Sequence, residues 1–142
     1  MTAPLLSVDG LDVFYGGIQA ARAVSLSVAE GELVSLVGAN GAGKTTVLNA
    51  ICGLVRPRRG SVRFAGEEIS RRRPSEIVRR GIVQVPEGRQ ILAQMTVLEN
   101  LELGGYQRRD RAALRREINA MLERFPALAP RRDLPAGTLS GG

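Results

Sequence analysis

Eight residues, Gly38-Ala39-Asn40-Gly41-Ala42-Gly43-Lys44-Thr45, constrain this chain more than any other stretch. They fit the pattern G-x-x-x-x-G-K-[ST], and Thr46 follows them. The run before them, Glu32-Leu33-Val34-Ser35-Leu36-Val37, predicts a short buried strand. The run after them, Val47-Leu48-Asn49-Ala50-Ile51-Cys52, carries apolar residues at helical spacing. Strand, glycine loop and helix together form the setting in which such a loop holds phosphate. Gly38, Gly41 and Gly43 permit backbone angles that a side chain forbids. Successive N–H groups then turn into one concavity, and the helix starting near Gly43 adds the positive end of its dipole. Lys44 sets a point charge on the outer phosphates, and Thr45 offers a hydroxyl to Mg²⁺. The bland alternative is a glycine-rich turn with a chance Lys-Thr, and the strand and helix on either side argue against it. Among 20 basic residues Lys44 is the single lysine. A compact ammonium suits this loop, and a planar guanidinium does not replace it conservatively.

The 142 residues make one domain by size, with an apolar content of 44%, ordinary for a packed core. No run is long enough to cross a bilayer, and the first residues lack the basic and apolar regions of a secretion signal. The lone Cys52 excludes an internal disulfide, fits a reducing compartment and reads as a packing residue on the loop's helix. There is no histidine, so no histidine base acts from this chain. The net charge of +6 comes from scattered arginines at 56–59, 71–73, 79–80, 108–116 and 131–132. No aromatic residues interleave with them. They predict solvated faces, or contact with acidic lipid headgroups, rather than a specific nucleic-acid surface.

Along the chain, Leu6–Tyr15 reads as a strand, or a strand pair turning at Asp9-Gly10, and Ala23–Val28 as a second strand. Gly53 and Pro57 end the loop's helix. Gly60–Phe64 predicts a strand, Ala65-Gly66-Glu67 a turn, Ser75–Arg80 a short helix and Ile82–Val85 a buried strand. Thr96 with Glu99 forms a capping-box pattern for a helix bearing Val97, Leu98, Leu101 and Leu103. Asp110 caps another, with Leu114, Ile118, Met121, Leu122 and Phe125 on one face.

The chain closes on Leu139-Ser140-Gly141-Gly142, which matches the L-S-G-G signature of ATP-binding-cassette (ABC) ATPases. Alone these residues are weak evidence. About a hundred residues after a phosphate loop and beyond a helical stretch, they are strong. With Val13-Phe14-Tyr15-Gly16, Val85-Pro86-Glu87-Gly88-Arg89 and Thr96-Val97-Leu98-Glu99-Asn100-Leu101, the whole chain resembles the N-terminal part of such a cassette. Within that family it looks most like the ATPase subunit of branched-chain amino acid importers.

The resemblance implies an α/β fold: a P-loop NTPase core with an antiparallel β subdomain and the start of a helical subdomain, an incomplete ABC ATPase fold. It divides the single nucleotide-binding domain at about 1–88 and 89–142. Tyr15 corresponds to the aromatic residue that stacks on adenine; read from sequence alone, a strand-end core tyrosine is the alternative. Glu87 stands where most cassettes carry the Q-loop glutamine, a departure familiar in this branch. An ionised carboxylate accepts hydrogen bonds and cannot donate them, so the glutamine's role does not transfer whole. Leu139, Ser140, Gly141 and Gly142 would contact ATP held by a second ABC ATPase subunit. The implied cofactors are ATP and Mg²⁺, and the implied partners are transmembrane permease subunits. The implied location is peripheral, at the cytoplasmic face of the membrane.

The family's Walker B aspartate, catalytic glutamate and switch histidine have no match here. The chain is therefore expected to be a fragment, or a truncated gene model, of a longer protein, inactive alone. Its strands at 33–37 and 82–85 are expected to face open edges. A urea or amide importer, a non-transport cassette protein, a P-loop kinase or GTPase and a non-catalytic remnant are the competing readings. The L-S-G-G and the lack of a guanine-reading N-K-x-D disfavour the kinase or GTPase.

Overall fold

A computed structural model describes residues 3–88 and 90–140. It divides into two compact units, Met1–Val85 and Pro86–Gly142.

The first unit is built on a four-stranded antiparallel sheet in the order β2-β1-β3-β4. Its strands are β1 (Leu6–Tyr15), β2 (Ile18–Val28), β3 (Arg59–Phe64) and β4 (Glu67–Glu68). Helix α1 (Lys44–Ile51) packs on one face and α2 (Pro74–Arg79) closes the unit. Val8, Leu11 and Val13 of β1 face inward, the step of three between Val8 and Leu11 absorbed by a register shift, to meet Val62 of β3 and Val47, Ala50 and Ile51 of α1. Ile69 and Ile77 complete this core. The β3–β4 turn at Ala65-Gly66 holds both residues at positive φ, 49° and 81°, which suits the twist of a hairpin.

Two sequence expectations change here. β1 does not turn at Asp9-Gly10; it runs through to Tyr15 with register shifts against β2, and the Gly10 amide donates to Ser25 Oγ at 2.9 Å. The apolar runs 33–37 and 82–85 do not form strands. A strand needs a partner for its backbone groups, and no described segment pairs with either run. Leu33 and Val37 are 93% and 94% exposed, and Val83 and Val85 are 74% and 93% exposed. Unpaired backbone beside bare apolar side chains favours self-association. Purified residues 1–142 are therefore expected to bind ANS and to self-associate with rising concentration. The pair Val37→Lys and Val85→Lys should suppress both, as followed by fluorescence and sedimentation. An ANS-silent, monomeric parent would contradict the exposure of these runs.

The second unit holds α3 (Val97–Gly104) and α4 (Arg111–Arg124), then 3-10 turns at Ala129–Arg131 and Ala136–Thr138. Asp110 Oδ1 caps α4 by accepting from the Ala113 amide at 2.9 Å. Leu114, Ile118 and Leu122 are its buried stripe, packed on Leu98 and Leu101 of α3 and on Leu128. Met121 and Phe125, expected on that face, are exposed. Asn100 fastens the loop ahead of α3: its Oδ1 accepts from the Leu92 amide, and its Nδ2 donates to the carbonyls of Leu92 and Thr96.

The capping box at α3 is reciprocal. Thr96 Oγ1 accepts from the Glu99 amide at 3.1 Å, and Glu99 Oε2 accepts from the Thr96 amide at 2.7 Å. The Thr96 amide, and its hydroxyl at 3.0 Å, both donate to Glu99 Oε2 and hold the Glu99 carboxyl below its ordinary range. A depressed carboxylate adds stability above its unfolded pKa, and that contribution is lost as pH falls through the folded value. Thr96→Ala is expected to cost about 1 kcal/mol at neutral pH and less below the ordinary glutamate range. Urea unfolding at the two pH values tests this, and a cost independent of pH would contradict the Glu99 contribution.

Candidate functional site: a glycine loop at the start of a helix

The predicted loop lies wholly in the first unit, ahead of α1. Gly43 is the residue before the helix and has φ 92° and ψ 8°, left-handed angles that glycine adopts without strain. Its other constraint is contact. A Cβ at Gly43 would stand 2.2 Å from the Ala20 carbonyl oxygen of β2. Ala20 is the extra residue of a bulge, since Val13 pairs with Ala21 and Phe14 with Gln19. Bulges re-aim a peptide out of the ladder, and this one brings its carbonyl against the loop. The sheet thus fixes where α1 begins.

The Gly43 carbonyl accepts from the Val47 amide at 3.0 Å, which starts the helix. The amides of Lys44, Thr45 and Thr46 belong to a first turn with no carbonyl four residues back inside the helix. No described side chain caps them. They form a donor set with the positive end of the helix dipole behind it, an arrangement suited to an anion. Lys44 folds back over the loop, its Nζ donating to the Gly38 and Ala39 carbonyls at 2.6 and 2.8 Å. A turn with Ala42 N–H donating to Ala39 carbonyl closes the loop around Asn40 and Gly41. Thr46 is buried, and Thr45 is exposed at the helix start.

Tyr15 ends β1 and pairs with Ile18 across the hairpin tip. It is 47% exposed. Two residues after Ile18 comes Ala20, whose carbonyl meets Gly43. The hairpin that carries the aromatic ring is thereby the hairpin that seats the loop. Cys52 is half-buried behind α1, where burial pushes its thiol pKa up, away from nucleophile chemistry.

The remaining predicted residues belong to the second unit. Glu87 is exposed. Leu139 lines an apolar groove of about 460 Å³ with Ile91, Leu92, Leu101 and Leu128, and Ser140 is exposed after it. Gly141 and Gly142 lie outside the described residues, as does Arg89. No group of three or more acidic, Cys or His side chains that would cage a metal occurs among the described residues. A Mg²⁺ ion here would rely on the Thr45 hydroxyl and on oxygens of its anionic ligand, which the exposed Thr45 allows.

Two features of this site carried little sequence signal. The Ala20 bulge has none, because its role rests on a backbone carbonyl. A bond from Gln84 Nε2 to Asn49 Oδ1, 3.1 Å long, joins α1 to the segment before Glu87. Its one hint was a polar residue inside the apolar run 82–85.

The family model for ABC transporters matches residues 21–142. The chain is 44% identical over 97% of its length to the high-affinity branched-chain amino acid transport ATP-binding protein BraG of Pseudomonas aeruginosa, spanning 59% of that protein. It is 38% identical to the high-affinity branched-chain amino acid transport ATP-binding protein LivG of Escherichia coli, over 75% of the chain and 42% of the relative. Among solved structures, an ATP-binding subunit of an ABC transporter aligns with a TM-score of 0.82 and 31% identity, over 96% of this chain and 56% of the other. A nucleotide-free ATP-binding cassette aligns at 0.79 and 29% identity, over 97% and 60%.

Proposed function

We propose, from the premise that this chain belongs to the ABC transporter family, that it forms the ATP-binding part of an ATP-hydrolysing importer subunit. The observation that carries this reading is the uncapped first turn of α1 held against β2 by Gly43, with Lys44 beside it. The solute is a branched-chain or other hydrophobic amino acid, by likeness to proteins so named. The subunit works at the cytoplasmic face of the membrane, against transmembrane permease subunits and a second ATPase subunit. No described helix is long and apolar enough to cross a membrane, so the membrane path belongs to partners in this reading.

The chemistry is in-line transfer of the γ-phosphoryl group to water. Amides of the loop and of α1 hold the phosphate oxygens, and Lys44 exchanges its two carbonyl partners for the β/γ-phosphates. Tyr15 stacks on the base. Thr45 would hold Mg²⁺, which would supply charge neutralisation at the phosphates. By resemblance Glu87 takes the Q-loop position, and Leu139, Ser140, Gly141 and Gly142 face the nucleotide of the opposite subunit.

The test is nucleotide binding and turnover in the full-length chain. Tyr15→Ala is expected to weaken ATP by about 5- to 150-fold, the equivalent of one lost base stack, with Tyr15→Phe near the parent. Equal affinity in Tyr15→Ala would remove Tyr15 from the site. Glu87→Gln is expected to change the rate of hydrolysis or its coupling to transport while ATP affinity stays within about twofold. An unchanged coupled rate would place Glu87 outside the site.

A further inference from the structure

The end of the first unit is tied to α1 by two side-chain amides. Gln84 and Asn49 lie 35 positions apart, and Gln84 Nε2 donates to Asn49 Oδ1 at 3.1 Å in a part-buried setting. The other end of the Gln84 amide, Oε1, is buried without a partner among the described residues. The bond to Asn49 is therefore the only hydrogen bond this side chain makes there. No strand pairing with a described segment holds the 82–85 run, so this contact fixes its place together with the packing of Ile82 on the core and the Ile82 amide, which donates to the Ile77 carbonyl at 3.4 Å. Asn49 lies five residues beyond Lys44 on the same eight-residue helix, and Glu87 follows Gln84 by three.

We propose that Asn49 and Gln84 are positioning residues, an amide latch that keeps the segment feeding Glu87 in register with the phosphate-binding helix. The inference rests on the ATPase reading above. The latch touches no nucleotide, and its backbone surroundings are independent of it: the Asn49 carbonyl accepts from the Leu54 and Val55 amides whatever the side chain. Its loss therefore slows turnover and leaves nucleotide binding in place. A misplacement of catalytic groups by about 1 Å costs up to about a hundredfold in rate.

The chemistry of two facing amides gives a discriminating set of variants. In Asn49→Asp the new carboxylate still accepts from Gln84 Nε2. In Gln84→Glu the Asn49 amide turns over and donates its own N–H. Each single variant keeps a bond. The double variant sets two carboxylates face to face, and assayed at a pH above the range in which such a pair shares a proton, neither can donate to the other. ATP turnover, KM and thermal midpoint are measured on the full-length chain for the parent, both singles, the double and Lys44→Ala. The singles are expected to keep kcat within about threefold, and the double to lose about ten- to a hundredfold in kcat with KM within about twofold. Gln84→Leu, which removes the donor without adding charge, is expected to fold like the parent and to lose kcat likewise. Parent-level kcat in the double or in Gln84→Leu would overturn the latch. A loss of KM and thermal midpoint in step with kcat would overturn it too, leaving a merely structural contact. A parent without turnover sensitive to Lys44→Ala would overturn the ATPase reading itself and the latch with it.

Discussion

Gly43→Ala is expected to abolish nucleotide binding and to destabilise the first unit more than any other single methyl group added to the loop. The added Cβ would stand 2.2 Å from the Ala20 carbonyl oxygen and 3.3 Å from its carbon, both backbone atoms of β2. Nothing there rotates away, so the loop or the bulge must move. Forced overpacking of this kind costs about 1–3 kcal/mol. The left-handed φ of 92° adds about 1–2 kcal/mol for any residue with a side chain. Gly17→Ala is the control, at a hairpin glycine with no atom within 4 Å and no positive φ. It is expected to fold and to bind like the parent. Thermal unfolding with and without ATP measures both quantities. A Gly43→Ala protein with parent stability and ATP affinity would show that the Ala20–Gly43 contact does not seat the loop.

Lys44→Ala is the second large effect, and its character differs. The side chain holds two loop carbonyls through its ammonium and packs into no core. Its removal should barely alter the thermal midpoint. The charge it brings to the β/γ-phosphates has no substitute, since no other lysine exists and no described arginine bonds to the loop. Removing one donor from a charge-stabilising site costs about 10²–10³ in rate. Phosphate release by full-length parent and variant measures it. Lys44→Arg is expected to fall near the alanine variant, because a planar guanidinium does not sit where a compact ammonium donates to two carbonyls. Parent-level release in Lys44→Ala would remove the loop from the reaction.

The parts of this molecule legible in its sequence are the local ones. Thr96 with Glu99 and Asp110 before α4 act within a few residues of themselves, and the structure realises both as read, while the short helix expected at 75–80 runs Pro74–Arg79. The glycine loop was legible for the same reason, since its spacing and its flanking helix lie on one short stretch. What the sequence hid depends on distant neighbours. The runs 33–37 and 82–85 have the composition of buried strands, yet a strand is made by its partner, and none of the described segments supplies one. Asp9-Gly10 has the chemistry of a turn, and Ser25 on β2 converts it into an irregularity within one long strand. Met121 and Phe125 fit the apolar stripe of α4 by spacing, but α3 and Leu128 cover only Leu114, Ile118 and Leu122. The contacts of Ala20 with Gly43 and of Asn49 with Gln84 join residues 23 and 35 positions apart.

The account turns on one claim, that the first turn of α1 and its glycine loop hold the phosphates of ATP. Equilibrium titration of the full-length chain with ATP in the presence of Mg²⁺ tests it most directly. The predicted result is saturable binding of one nucleotide per chain, competed by ADP and lost in Gly43→Ala. The absence of saturable binding to a folded parent chain, or binding untouched by that substitution, would contradict it.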